Sequence, residues 1–433
     1  MISPSIVMPR TATTANRHYP PLVLLSLLVV APLLLVVIPA AEWGAGIIYL
    51  VVMGVIANGL YHFTVKPIDP AFPGSLYLLA LLAKLFGCIV RYWTVVDYYD
   101  GASDAPLYHQ HGLILAQYFK VFDFSIMDNY VVRGEGTTQL AYVTGFVYSL
   151  LPVSMAGAFF FFAMLAFVGS VIFYCAVRVA WPEAEIGYYR LCIFFLPSIL
   201  FWPSALGKDA WLFFCTSLIA WGWVQFLRRG HWSGLLWIAT GLFLTNAIRP
   251  HVAAFLALGM GAAYLLYGLR GQRSLIGWIV GAGVVTAFVV YMVQSGAQFL
   301  SLDELSFDTI EAQMRSIQGL TTQGGSQFET VSIFTPWGFV WGLITTLGRP
   351  FVWEAKSGQV LISALETSGW LVLALLKYRI LFRKLRNVRS DPMTAFAFFY
   401  SLITLLALTT IGNFGILARQ RVLILPYLWM LFV

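Results

Sequence analysis

Runs of about twenty apolar residues recur from Pro21 to Val433, each long enough to cross a hydrocarbon layer of ~30 Å as a helix rising 1.5 Å per residue. No other feature constrains the fold so tightly. Only 10% of the 433 residues are Asp, Glu, Lys or Arg, against about 25% in an ordinary soluble domain, so a water-soluble globule is excluded. A membrane β-barrel would alternate polar and apolar residues over segments of about ten, whereas 22–37 and 159–177 are almost continuously apolar. The expected fold is therefore all-α: a polytopic transmembrane helical bundle forming one integral membrane domain over residues 1–433. Fifteen Trp and twenty-one Tyr suit rings collected at the two lipid–water interfaces.

The spans are predicted at 21–40, 44–62, 75–95, 155–177, 189–203, 210–227, 232–248, 252–269, 274–293, 358–376, 393–412 and 422–433, twelve in all. Two further apolar stretches, 138–152 and 332–348, are interrupted by Gly, Pro or Thr and are read as re-entrant or interfacial. The apolar run after Arg10 and Arg17 is too long for a signal-peptide core and is read as the first span. Four cysteines, Cys88, Cys175, Cys192 and Cys215, lie inside apolar segments without paired spacing, which supports neither a disulfide framework nor a zinc site.

Charge then sets topology. Six basic residues between Lys377 and Arg389 mark a cytoplasmic loop. Alternating outward from it places fifteen Lys/Arg and only four acids on the cytoplasmic side, Arg270 and Arg273 among the basic ones, against nine basic and fourteen acidic residues outside. The excess of positive charge is thus a topology signal that needs no nucleic-acid partner. A multi-pass membrane protein follows, with a cytoplasmic N-terminus and its unusual polar sequence outside, in large loops at 96–153 and 294–357.

The first loop opens Asp97-Tyr98-Tyr99-Asp100-Gly101-Ala102-Ser103-Asp104-Ala105-Pro106-Leu107-Tyr108-His109-Gln110-His111. Asp104 reads as a helix N-cap with Pro106 in the first turn, and Leu113, Leu115, Tyr118 and Phe119 give the helix an apolar face. Asp97, Asp100, Asp104 and His109 are candidates for a divalent-metal site, since hard cations favour carboxylate oxygens, and His111 lies close by. Capping and solvated loop acids explain any one of these residues equally well. The turn Phe201-Trp202-Pro203-Ser204-Ala205-Leu206-Gly207-Lys208-Asp209 puts a Lys–Asp pair at a helix head, where the dipole favours Asp209 and disfavours Lys208 unless an anion compensates.

Arg249 and His251 follow at the end of another span, where an unpaired charge costs at least ~2.5 kcal/mol and a partner is expected. Arg419 and Arg421 offer two guanidiniums of the kind that clamp diphosphates in a fork geometry. In the second large loop, Ser301 and Glu304 make a capping-box pattern before an amphipathic helix, and a Gly- and Gln-rich linker runs from Thr321 to Gln327, a pattern that suits a lid and an ordinary interfacial helix equally. The loop closes on Arg349, Glu354 and Lys356. Within the spans, Lys84 and Glu366 are expected to pair with each other, the alternative being a proton relay.

Through Gly101-Ala102-Ser103-Asp104-Ala105-Pro106-Leu107-Tyr108-His109, the Phe-Trp-Pro-Ser…Gly-Lys-Asp-Ala-Trp turn, Arg249-Pro250-His251 and Leu417-Ala418-Arg419-Gln420-Arg421, the chain resembles bacterial polytopic proteins of surface-polysaccharide gene clusters. More distantly it is similar to the GT-C superfamily of membrane glycosyltransferases and to O-antigen polymerases. The resemblance implies a polyprenyl-(di)phosphate sugar donor and a glycan or lipid acceptor on the outer side. It also implies a catalytic acid in an early outer loop, matched in kind by Asp104 or Asp100. In GT-C enzymes that acid follows the first span, whereas here it follows the third predicted one. Lys208, Arg249, His251, Arg349, Arg419 and Arg421 would hold the phosphate. The rival expectations are a transporter or flippase of lipid-linked glycans and a non-catalytic scaffold.

Overall fold

The computed structural model describes residues 20–268, 275–299, 307–321, 326–330 and 335–433. Arg10, Arg17, Arg270, Arg273, the Ser301/Glu304 capping box and residues 322–325 of the expected lid lie outside these. Among the described residues the chain is helical and contains no strand. The helices are α1 (Pro20–Val37), α2 (Trp43–Leu60), the single turn α3 (Lys66–Ile68), α4 (Gly74–Trp93), α5 (Asp104–Phe119), α6 (Glu135–Leu150) and α7 (Met155–Ala180). There follow α8 (Gly187–Phe195), α9 (Pro197–Phe201), α10 (Lys208–Leu227), α11 (Ser233–Ile248), α12 (Pro250–Gly268), α13 (Leu275–Phe299) and α14 (Phe307–Thr321). The last six are α15 (Pro336–Gly348), α16 (Gly358–Leu376), α17 (Tyr378–Arg386), α18 (Pro392–Leu408), α19 (Phe414–Arg421) and α20 (Leu425–Met430).

Five described helical stretches, Ala40–Ile68, Gly74–Tyr98, Met155–Ala180, Lys208–Leu227 and Gly358–Leu376, are long and apolar enough to cross a membrane. Shorter apolar helices run Pro21–Val37, Ser233–Ile248, Pro250–Leu266 and Pro392–Leu408. α7 is the central pillar: twenty of its 26 residues are buried, so its apolar surface is spent on protein neighbours. α1 and α16 instead turn large apolar side chains outward, with Val36 82% and Leu375 74% exposed, a surface suited to lipid.

Three expected helix boundaries differ in the structure. The stretch 189–203 is not one rod: α8 stops at Phe195, Leu196 is extended at φ −64°, ψ 127°, and a five-residue α9 follows. Pro197 is the cause, since its ring disfavours helical geometry in the residue before it. Residues 422–433 are not a span either, because they hold only the six-residue, buried α20. And Ser103, not Asp104, caps α5: its hydroxyl accepts from Ala105 N at 3.3 Å, which leaves Asp104 as the first helical residue.

A broken helix exposes backbone groups that a bilayer cannot satisfy, and two charges from neighbouring helices satisfy them. Glu366 of α16 accepts from Ser198 N (2.7 Å) and Ser198 Oγ (2.6 Å) at the start of α9. Lys84 of α4 donates to Ile199 O (2.9 Å) and Pro203 O (3.1 Å) at its end. The acid sits at the N-terminus and the cation at the C-terminus, as the helix dipole favours. The expected Lys84–Glu366 pair is therefore replaced by a shared clamp on one segment. One turn further along α4, Gly87 lies so close to this segment that a Cβ would meet Leu200 O at 2.2 Å.

Gly87→Ala is thus expected to push the 197–204 segment off α4 at a cost of about 1–3 kcal/mol, read as a lower unfolding midpoint in detergent. An unchanged midpoint would contradict the close packing described.

Candidate functional site

A cavity lined by charged residues lies at the end of the bundle where four helices begin. It measures about 590 Å³. Its wall includes the first residues of α5 (Ser103, Asp104), α16 (Ser357, Gln359) and α19 (Asn413, Phe414). A deeper recess sharing Arg91, Ser103, Asp104, Trp202 and Arg419 reaches the head of α10 at Gly207 and Asp209. Helix N-termini carry partial positive charge, so this convergence favours an anion. Side chains already cap three of the four: Ser103 on Ala105 N, Ser357 on Val360 N, and Asn413 on Gly415 N and Ile416 N. Gly207, before α10, contributes no side-chain cap.

Asp209, 6% exposed, organises the recess. Its carboxylate is paired with Arg419 Nε on α19 and lies 3.7 Å from Arg249 on the turn between α11 and α12. Arg249 also donates to Gln420 Oε1 at 2.7 Å. One carboxylate thus ties three distant chain segments together. Coulomb attraction from Asp209 raises the pKa of Arg419, which remains charged where it lines the cavity.

Arg91 stands opposite. Its guanidinium lies 4.8 Å from the ring of Phe201 and 5.0 Å from that of Trp202, two cation–π contacts furnished by the clamped segment. Its Nε is buried without a hydrogen-bond partner, and among the described residues no carboxylate reaches it. Asp104, exposed on the cavity wall, likewise has no hydrogen bond or ion pair among the described residues, because Ser103 performs the capping. A free cation and a free carboxylate therefore face one cavity.

The rim is closed by the second large loop. Gln327 and Asn413 form an antiparallel bridge, with Phe328 N donating to Gly412 O (2.8 Å) and Phe414 N to Ser326 O (2.9 Å). Phe328 stacks on Phe414 at 4.6 Å, and Arg349 covers Phe328 at 4.7 Å. α14 is pinned to the same strip through Thr321 Oγ1, which accepts from Gly412 N at 3.1 Å. Across the cavity, Tyr99 OH meets Gln359 Oε1 at 3.1 Å.

Of the residues expected to bind phosphate, Arg419 lines the cavity, with Lys356 exposed on its wall beside Glu354. Arg349 is one step back, 3.1 Å from Glu354 and donating to Glu329 O at 2.9 Å. Lys208 turns to α6, donating to Thr137 Oγ1 at 3.0 Å, and does not line the cavity. His251 also stays off the wall, its ring edge-on to Phe255 at 6.1 Å and its backbone packed against Gly296. Arg421 is displaced altogether: buried, it donates to Thr346 O, Leu347 O and Arg349 O, closing the free carbonyls at the end of α15. The Arg419/Arg421 clamp is thus not formed, because residues two apart on a helix point to different sides.

The metal set is not assembled. Among the described residues no group of three or more His, Cys, Asp or Glu is placed to hold a cation. Asp97 and Asp100 are exposed and absent from the cavity wall, Asp100 being held in a tight turn at φ +48° beside Gly101 at φ +73°. His109 is occupied with Tyr148: that hydroxyl donates to Ser154 O (3.0 Å), so it accepts from His109 Nδ1–H (2.7 Å). Burial lowers the His109 pKa, in keeping with a neutral ring. His111 is bonded to Tyr130 OH at 2.6 Å.

Arg91 and Trp202 were not foreseen as site residues. The available signal was Arg91 itself, an ionisable residue inside a span and seven residues after Lys84, hence on the same helical face. Comparison with family models, with curated proteins and with solved structures returns no match.

Asp209→Asn is expected to leave Arg249 and Arg419 without their carboxylate and to destabilise the protein by about 3–5 kcal/mol, measured by denaturant unfolding. Adding Arg249→Gln should recover part of the loss. Additive losses in the double variant would count against a shared carboxylate.

Proposed function

We propose that the protein is an integral membrane glycosyltransferase that moves a sugar or oligosaccharide from a polyprenyl-(di)phosphate carrier to an acceptor hydroxyl. Surface-polysaccharide synthesis is the setting, and polymerisation is included. The observation that carries the reading is the pairing in one cavity of Arg91, a guanidinium without a polar partner, with the unengaged carboxylate of Asp104. A lone half-buried cation is costly unless an anion visits it, and the convergent helix N-termini add to the same preference.

In this reading the acceptor oxygen attacks the anomeric carbon while the bond from that carbon to the phosphate oxygen breaks, and the phosphate keeps the electron pair. Asp104 removes the acceptor proton as general base. Arg91 and Arg419 stabilise the charge growing on the leaving phosphate. Asp209 acts as a positioning residue for Arg419. Asp100, outside the cavity, is set aside as the base. Ser326, Gln327, Gln359 and Asn413 provide uncharged polar groups on the wall for sugar hydroxyls.

The cavity end is assigned to the extracytoplasmic face of a bacterial inner membrane. α16 begins at the cavity and runs 19 residues, about 28 Å at 1.5 Å per residue, to the six basic residues at 377–389, which the positive-inside rule keeps cytoplasmic. The remaining expected spans, without 422–433, and the GT-C likeness belong to the same proposal. A second reading, a flippase for lipid-linked glycans, is favoured by the helix break between α8 and α9, since discontinuous helices mark many transporter sites.

Asp104→Asn is expected to lower turnover of a lipid-linked donor by about 10²–10⁴-fold with the melting temperature preserved; full turnover in purified protein would remove the base assignment. Arg91→Gln should lose at least about tenfold in kcat/KM, with Arg91→Lys in between. Vesicle translocation of the lipid-linked glycan without a new glycosidic product would favour the transporter instead.

A further inference from the structure

A cluster of basic residues lies at the opposite end of the bundle. α17 follows α16 and, with its flanks, carries Lys377, Arg379, Arg383, Lys384, Arg386 and Arg389. Among the described residues none of the six has a carboxylate within 4 Å. The nearest acid in sequence, Asp391, is already engaged by Trp181 Nε1 (2.8 Å), Thr394 Oγ1 (2.6 Å) and Arg228 (4.0 Å). Lys384 is drawn inward over the Trp181 ring at 3.7 Å, and its burial pushes its pKa down to about 8. Arg386 and Arg389 instead remain exposed.

These two arginines line a largely apolar groove of about 640 Å³. Leu266 at the end of α12, Leu385 and Val388 beside α17, and Phe398 and Phe399 of α18 make its floor. Two guanidiniums without acid partners over a furrow of aromatic and aliphatic side chains match one kind of molecule, with an anionic head and a hydrocarbon tail. A free anion would satisfy the arginines and leave the furrow bare, and an apolar peptide would do the reverse.

We propose that this groove is a specific site for an anionic phospholipid, its phosphate on Arg386 and Arg389 and an acyl chain along Leu266, Phe398 and Phe399. Basic residues beside membrane helices attract anionic headgroups in general, at about 1 kcal/mol each near the surface; what distinguishes this place is the groove beneath two of them. The site is separate from the sugar-transfer cavity and does not depend on that assignment.

The test is retention of phosphatidylglycerol by the full-length protein in native mass spectrometry, after reconstitution in phosphatidylcholine nanodiscs doped with it. The wild type should carry phosphatidylglycerol in clear preference to phosphatidylcholine. Arg386→Gln/Arg389→Gln should cut retention at least tenfold. Arg379→Gln/Arg383→Gln removes the same charge from the same helix away from the groove and should stay within twofold. Leu266→Trp, which fills the groove and leaves both arginines in place, should also lose the lipid. Excess inorganic phosphate should not displace it. Equal losses in the two arginine doubles would reduce the site to diffuse surface charge, and absence of preference in the wild type would overturn it outright. Unchanged melting temperatures in all variants keep misfolding out of the comparison.

Discussion

The clamp that Lys84 and Glu366 place on the broken helix at 196–204 is the constraint on which the candidate site depends. Inside a bilayer a helix break is tolerated only if its freed backbone groups find partners within the protein. Here two carbonyls take one ammonium, and a first-turn N–H and its serine hydroxyl take one carboxylate. The segment so held carries Phe201 and Trp202, and these rings position Arg91 at the cavity wall. A structural use of two intramembrane charges thus leads directly to the placement of a third.

The second organising element is Asp209. Because it is buried and acts on Arg249 and Arg419 together, it fixes how the head of α10, the turn before α12 and α19 meet. One negative charge between two positive ones leaves the Arg249–Asp209–Arg419 cluster net positive while each guanidinium keeps a favourable contact. Arg421, two residues beyond Arg419, has been drawn into closing the end of α15, so the site uses one arginine of the pair. Arg91 and Asp104 are the two charges on the cavity wall that this network leaves without a partner among the described residues.

The all-helical class followed from apolar run length, since few chain conformations satisfy their own backbone in lipid. The gathering of Asp104, Arg419, Glu354 and Lys356 at one end followed from charge placement along the chain. The break at Pro197 was within reach, because a proline inside an apolar run restricts the residue before it. The roles of Lys84, Glu366 and Arg421 were not legible, since each acts on backbone atoms of distant segments that no local pattern announces. The metal set failed for a related reason: proximity along a loop says nothing of where a tight turn sends Asp100, or of a tyrosine waiting for His109.

The sequence by itself determined a membrane-compatible helical chain, its polarity of charge from end to end, and the residue types available for chemistry. These are sums over local composition, and burial in lipid enforces them wherever the helices pack. Tertiary structure alone decided which charges neutralise one another and which remain unengaged. That choice depends on distances of a few ångströms between segments far apart in the chain, and at low dielectric those distances separate a structural ion pair from a cation awaiting a ligand.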